Sequence, residues 1–257
     1  MGIHPTALVH PGAQIAPDVD VGAYSVIDEH VVVGPGTRIG HHCVISGRTR
    51  IGRSNRIASF VSLGAPPQDK KYHGEPTALE IGDDNSIREF CTFNTGTVQD
   101  VGTTRLGSRN WIMAYVHLAH DCQVGNDTIF ANNAQLAGHV HVGDFAILGG
   151  FTLAHQFVKI GAHSITGLGT VLLQDLPPFV MVSGNPASAH GINSEGLRRR
   201  GFSAQAIEEL RRAYKTLYRS GLSFEEAKKA LEPQAEGSDD IRTLVDFLAH
   251  VTRGIIR

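Results

Sequence analysis

The run Ile15-Ala-Pro-Asp-Val-Asp-Val21-Gly-Ala-Tyr-Ser-Val-Ile27-Asp-Glu-His-Val-Val-Val33-Gly-Pro-Gly-Thr-Arg-Ile39 places an aliphatic residue at every sixth position. The phase extends back through Val9 to Ile3 and forward through Ile45, Ile51 and Ile57 to Leu63. In a chain that is 41% hydrophobic, eleven hits at one phase arise by chance roughly five times in 100,000. Gly often follows, as in Val21-Gly22, Val33-Gly34, Ile39-Gly40 and Ile51-Gly52. The phase returns at Ile81, Ile87 and Phe93, slips by one residue, and resumes. The second run is Leu106, Ile112, Leu118, Val124, Phe130, Leu136, Val142 and Leu148, then Ala154, Ile160, Thr166 and Leu172. A period of six suits neither a helix nor a hairpin meander. It suits a triangular coil in which each hexad makes one short strand and one corner, the aliphatic residue points to the axis, and three hexads make a turn. Stacked coils pair as parallel strands ~4.8 Å apart, so residues 18 apart lie above one another.

Composition narrows the function classes. The 257 residues carry a formal net charge of −2 with 19% charged residues, which argues against nucleic-acid binding by the chain as a whole. No apolar run approaches the ~18 residues of a membrane span, and no signal segment opens the sequence. Cys43, Cys91 and Cys122 form no CxxC, which speaks against a disulfide framework or a thiolate zinc site. A soluble, cytoplasmic protein is expected.

Two stretches interrupt the hexads. In 64–80 the sixfold phase falls on Asp69 and Glu75, and Pro66-Pro67 intervenes; 94–105 carries Gly96, Gly102 and several Thr. Both read as loops projecting from the prism, where function commonly sits. The β-helix is expected over 1–186 and a helical domain over 187–257. Ser203 and the Ser223/Glu226 capping box start helices near 203–219 and 223–232, with another near 239–253. These helices would cover the open end of the prism.

Six of the 14 histidines lie in 115–165: His117, His120, His139, His141, His155 and His163. The 18-residue rule stacks Gly138 on His120 and Gln156 on Gly138, and sets Asp121 beneath His139 with His155 beside Gln156. Three roles compete for such a column: general base, zinc ligand, or a ladder of idle surface histidines. Asp121 beside His120 favours the base, because a carboxylate fixes the imidazole tautomer. Gly138 could present its backbone N–H to an oxyanion.

The hexads match the hexapeptide-repeat family, whose fold is the left-handed parallel β-helix, here with a C-terminal α-helical domain. His117-Leu-Ala-His120-Asp121-Cys, Asn132-Asn133-Ala-Gln-Leu-Ala-Gly138-His139 and His155-Gln156-Phe157 resemble the UDP-N-acetylglucosamine acyltransferase family of lipid A biosynthesis. Gly191-Ile-Asn193-Ser-Glu195-Gly-Leu-Arg-Arg199-Arg200-Gly-Phe202 and Gln68-Asp69-Lys-Lys71-Tyr72 are similar to it too. The resemblance implies transfer of a 3-hydroxyacyl group from acyl carrier protein to the 3-OH of the sugar nucleotide; the cysteines lack a paired histidine motif and no nucleophile elbow is present, so no acyl-enzyme is expected. The resemblance implies His120 as general base, Asp121 as its orienting partner and Gly138 as oxyanion donor. It sets His117, His139, His155 and Gln156 along the site, and Gln68, Asp69 and Lys71 against UDP-N-acetylglucosamine. Asn193, Glu195, Arg199 and Arg200 match positions near the nucleotide or phosphopantetheine. No cofactor beyond the carrier's phosphopantetheine arm and no metal are implied, and family members are homotrimers with sites between prisms.

Leu168 falls where the family has the floor of its acyl groove. It lies 48 residues beyond His120, about 13 Å axially at ~4.8 Å per coil, a span of about ten carbons at ~1.25 Å each. A preference for about ten carbons over about fourteen is expected, the competing reading being an ordinary core leucine. Arg211, Arg212, Lys215 and Arg219 suggest a basic helix face for an acidic carrier. A trimeric zinc hydratase using His117, His120 and His139, a related N-acyltransferase and a purely structural prism are the alternatives. The N-acyltransferase usually has an added N-terminal domain, for which hexads starting at Ile3 leave no room.

Overall fold

The computed structural model describes residues 2–257. Short strands, mostly of two residues, stack into three parallel sheets that form the faces of a prism. Face I runs from Leu8–Val9 to Val171–Leu172, face II from Gln14–Ile15 to Lys159–Ile160, and face III from Asp20–Val21 to Ser188–Ile192. The chain visits the faces in that order on every turn, and Leu8 pairs with Val26 at the 18-residue spacing. The coil is a left-handed parallel β-helix.

The sixfold aliphatic residues are the core. Ile27, Ile45, Leu63, Phe93, Leu118 and Leu136 form one inward column, and all are essentially inaccessible to solvent. Each such side chain contributes about 1.5–3 kcal/mol through the water it excludes. Outward neighbours such as Val44, Trp111 and Leu153 remain exposed, as the period-two alternation of a strand requires.

The two loops leave face I and re-enter at face II, at the same corner of successive coils. Ile81 pairs with Ile51, thirty residues earlier rather than eighteen. The first loop therefore adds twelve residues, two whole hexads, and the phase survives it. Leu106 pairs with Ile81, twenty-five residues earlier, so the second loop adds seven and shifts the phase by one.

Corners are tight. Their third residue adopts a left-handed conformation even where it is aromatic, as at Tyr24, Phe60, Phe90 and Tyr115. That conformation costs an L-residue about 1–2 kcal/mol. Stacking offsets part of the cost: Tyr24, His42, Phe60, Phe90 and Tyr115 form a ladder of near-parallel rings 4.9–5.3 Å apart. At the II/III corner buried asparagines satisfy the turning backbone. Asn55 Nδ2 donates to the Gly82 carbonyl, and its Oδ1 accepts from the Asn85 N–H.

The coil ends in an antiparallel hairpin, Val180–Ser183 with Ser188–Ile192. That last strand lies inside the segment expected to be helical, because Gly184 to Ala187 turn the chain back onto face III rather than away from it. Four α-helices follow: α1 Ser194–Arg199, α2 Ala204–Arg219, α3 Phe224–Leu231 and α4 Asp239–Ala249. Ser203 caps α2, and Ser223 with Glu226 forms the reciprocal capping box of α3. Helix α1 carries no apolar periodicity long enough to reveal it. Leu197, Ile207, Leu210, Leu217, Leu231 and Leu244 make a second core, while Arg211, Arg212, Lys215 and Arg219 face solvent. Among the described residues no helix is long and apolar enough to cross a membrane.

Gly34, Gly52, Gly82, Gly107, Gly125, Gly143 and Gly161 stack at the exit from face II. A Cβ on Gly107 would lie 2.4 Å from the Gly125 carbonyl oxygen. Gly107→Ala should therefore destabilise the protein by about 1–3 kcal/mol, read as a lower urea midpoint. An unchanged midpoint would show that the coils can part without cost.

Candidate active site

The I/II corner holds the chemistry. His120, Gly138 and Gln156 occupy the same place in three successive coils: His139 N–H donates to the His120 carbonyl and Phe157 N–H to the Gly138 carbonyl. The next residues, Asp121, His139 and Phe157, all have positive φ, 59°, 63° and 67°. Asp tolerates this region well. The His139 ring is held by stacking on Phe157, with centroids 4.3 Å apart and planes 3° apart.

His120 and Asp121 form the central pair. Nδ1 of His120 lies 3.0 Å from Oδ2 of Asp121, whose side chain is fully buried. A carboxylate only accepts, so this nitrogen carries the proton and Nε2 is left as the base. Thr97, from the second loop, donates its N–H and its hydroxyl to the same carboxylate at 3.0 and 2.6 Å. Burial opposes the Asp121 charge, but the bonds from His120 and Thr97, with nearby His139, together hold the carboxyl below the ordinary range.

The His120 ring lies against Gly138 of the next coil. A Cβ there would sit 2.5 Å from Cε1 and 2.6 Å from Nε2 of the imidazole, so only glycine lets the ring approach the backbone this closely. Among the described residues no acceptor takes the Gly138 N–H. His120 and His139 meet edge to face, centroids 4.8 Å apart.

Three groups of the remaining expected residues lie at or beside this corner. His117 stands on face I beside the corner, bonded to Thr92 Oγ1 at 2.8 Å, and burial lowers its basicity. His155 and Gln156 are exposed one coil above Gly138. Gln68, Asp69 and Lys71 lie on the first loop, which leaves this same corner, and Asp69 accepts the Lys71 N–H. A cavity of about 400 Å³ lies beneath that loop, lined by Asp28, Arg48, Tyr72, Glu75, Thr77 and Thr95.

Asn193, Glu195, Arg199 and Arg200 are not brought to this corner within one chain. Asn193 caps α1 and donates to the His163 carbonyl, and Arg200 lies over the Phe145 ring at 5.1 Å; both contacts belong to the II/III corner. Glu195 pairs with Arg198 and Arg199. Leu168 stands on the III/I corner, 78% exposed, so it is not an ordinary core leucine. Its Cδ1 reaches over Gly150, 3.1 Å from where a Cβ would be. The axial distance to His120 understates the path between them, because a chain joining the two corners must also cross face I.

Could the corner hold a metal? His120, Asp121 and His139 bring ligand atoms within 4.8 Å of one another. The two Nδ1 atoms and the Asp121 carboxylate are already engaged, which leaves Nε2 of each imidazole. His120 Nδ1 faces Asp121, His139 Nδ1 faces Asp100 at 2.6 Å, and Asp121 accepts from Thr97 as well. The arrangement is a hydrogen-bonded pair of carboxylate–imidazole units. The cysteines offer no nucleophile: all three are buried, and desolvation pushes Cys91 up to about 11 and Cys122 to about 12.

The family follows from comparison. Residues 175–256 match the profile described as UDP-N-acetylglucosamine O-acyltransferase, domain 2, and 103–138 match the bacterial transferase hexapeptide profile. An acyl-[acyl-carrier-protein]–UDP-N-acetylglucosamine O-acyltransferase of Thiobacillus denitrificans is 64% identical over 255 residues, covering 99% of both chains. The chain belongs to the UDP-N-acetylglucosamine O-acyltransferase family. It is an O-acyltransferase. A similarly named protein of a Janthinobacterium species is 59% identical over 99% of each chain. The crystal structure of UDP-N-acetylglucosamine O-acyltransferase from Moraxella catarrhalis superposes with a TM-score of 0.98 at 45% identity, covering 100% of both. That from Acinetobacter baumannii gives 0.96 at 47%, covering 99% of both.

Sequence reasoning missed Thr97 and Asp100. The break at 94–105 marked their loop, but residues outside the 18-residue register carry no signal of where they point.

His163 yields a pH test. Its ring stacks between Phe145 and Phe179 at 4.7 and 5.5 Å. Burial, then the Arg200 charge, push it down to about 4 from an ordinary 6.5. The unfolded chain thus takes up the proton first as pH falls. Stability present above pH 6.5 is lost progressively down to about pH 4, by up to about 3 kcal/mol. His163→Phe should lose less stability across that window in urea titrations at several pH values. Equal losses would mean that His163 is not the group responsible.

Proposed function

We propose that this protein transfers a 3-hydroxyacyl group from acyl carrier protein to the 3-OH of UDP-N-acetylglucosamine, the opening step of lipid A biosynthesis in the cytoplasm. The observation that carries the mechanism is the His120–Asp121 pair lying against Gly138. Nε2 of His120 removes the 3-OH proton as that oxygen attacks the thioester carbonyl. The tetrahedral oxyanion takes the free N–H of Gly138. Asp121 stabilises the imidazolium, which then protonates the departing phosphopantetheine thiol. The buried, proton-bound cysteines favour direct attack over an acyl-enzyme, and no added cofactor is required.

Gln68, Asp69 and Lys71 contact the sugar nucleotide from the first loop, with His117, His139, His155 and Gln156 along the groove. Asn193, Glu195, Arg199 and Arg200 serve the nucleotide or the phosphopantetheine arm. Their separation from His120 in one chain supports a homotrimer, since cyclic packing of prisms would bring the II/III corner of one copy to the I/II corner of the next. The exposed arginines and lysine of α2 receive the acidic carrier.

The deciding experiment incubates the protein with UDP-N-acetylglucosamine and a panel of acyl carrier thioesters. Product should form with the 3-hydroxyacyl carriers, and His120→Ala should lower kcat by roughly 10²–10⁴-fold with melting behaviour preserved. Near-normal turnover in that variant would sink the mechanism. Chelator should leave activity intact; loss restored by zinc would favour the hydratase reading.

Chain length gives a second test. The exposed Leu168 side chain fills space that glycine would leave open, and overfilling a groove costs about 1–3 kcal/mol. The length preference rests on this bulk, not on the axial distance. In competition the natural protein should prefer a chain of about ten carbons over one of about fourteen, and Leu168→Gly should shift use toward the longer, by up to about 150-fold at the upper end of that range. An unchanged preference in the variant would remove Leu168 from the acyl groove.

A further inference from the structure

The second loop holds both Asp121 and His139 at the corner, and its contact with His139 has the geometry of a second orienting pair. Thr97 fixes Asp121 from below. Three residues further on, Asp100 Oδ2 lies 2.6 Å from Nδ1 of His139, a contact between residues 39 apart in sequence. The His139 side chain is 12% exposed and that of Asp100 37%. Facing a carboxylate, Nδ1 of His139 carries its proton, and Nε2 is left as an acceptor. That nitrogen has no hydrogen-bond partner among the described residues. Asp121 Oδ2 is 3.9 Å from Nδ1 of His139, too far to replace Asp100 as acceptor. Stacking on Phe157 fixes the ring plane but not which of the two orientations related by a flip about Cβ–Cγ the imidazole takes; the bond to Asp100 sets which nitrogen faces outward.

We propose that Asp100 is a positioning residue that locks His139 in the Nδ1–H tautomer, so that its Nε2 accepts a hydrogen bond from an O–H or N–H donor of the acceptor sugar beside the base His120. This assignment rests on the acyltransferase reading above. It makes the loop a two-pronged clamp, with Thr97 acting on the proton-transfer pair and Asp100 on the binding histidine. Because His139 binds rather than carries the proton, losing its orientation weakens substrate binding in ground and transition state alike, which raises KM and spares kcat.

Asp100→Asn tests this without a change of shape. The amide can donate to Nδ1 and so permit the opposite tautomer, as a carboxylate-to-amide exchange does beside a catalytic histidine. KM for the sugar nucleotide should rise about 10–100-fold, the loss expected when a hydrogen bond to the substrate is left unmade, with kcat changed by less than about threefold. Asp100→Glu should recover most of the loss. Nitrogen NMR of histidine-labelled protein should show His139 as the Nδ1–H tautomer in the natural protein and a mixed population in Asp100→Asn. An unchanged KM, or a raised KM with an unchanged tautomer, overturns the assignment. If the natural protein turned over none of the carrier thioesters, the acyltransferase reading would fall, while the tautomer measurement would still decide whether Asp100 orients His139.

Discussion

Inter-coil hydrogen bonding is the constraint on which the rest depends. At the corners the left-handed residue bonds the residue just before its counterpart one turn away, as His139 N–H does to His120 O, so every coil must repeat the conformation of the one beneath it. Mostly aliphatic side chains fill the axis, with Phe93 and Phe130 as larger apolar exceptions. Residues as unlike as Asp121, His139 and Phe157 share one left-handed conformation because their neighbours demand it. The same rule puts a histidine against a glycine and aligns a second histidine on a phenylalanine ring. Precision at the site is inherited from a repeating backbone.

Where the repeat is broken, the break serves the site. Both insertions leave the corner that carries His120, and the second returns two side chains to it. A carboxylate buried as fully as Asp121 needs several donors to remain charged, and the repeat supplies it only the Nδ1–H of His120, since Thr104 Oγ1 takes the Asp121 N–H rather than the carboxylate. Thr97 makes up the shortfall. The ordered prism fixes where the imidazole stands and pairs it with Asp121, and the irregular loop supplies the donors that the carboxylate would otherwise lack.

The fold was legible because six-residue periodicity is a property of composition along the chain, and Ile27, Ile45 and Leu63 report it without any knowledge of their contacts. Stacking at eighteen residues then carried His120, Gly138 and Gln156 to one corner by counting. Counting failed where register lapses. Asp100 sits in an insertion, α1 is too short to show a period, and the return strand Ser188–Ile192 is set by a turn rather than by a hexad. It also failed for Leu168, since a fractional number of coils places a residue on another edge of the prism, and axial arithmetic ignores the width of a face. The contact of Arg200 with Phe145 lay beyond any pattern in the sequence, because two separate cores create it.

The unequal loops have a consequence for how such a chain can change. The first insertion preserved the hexad phase and the second did not, yet the strands beyond each pair equally well. What a corner requires is only that its two ends return to adjacent strands, and the entropic cost of a longer excursion rises merely with the logarithm of its length. Segments of almost any size can therefore be accepted or lost at one edge while the axial packing stays as it was. Selection can reshape the groove without refolding the scaffold.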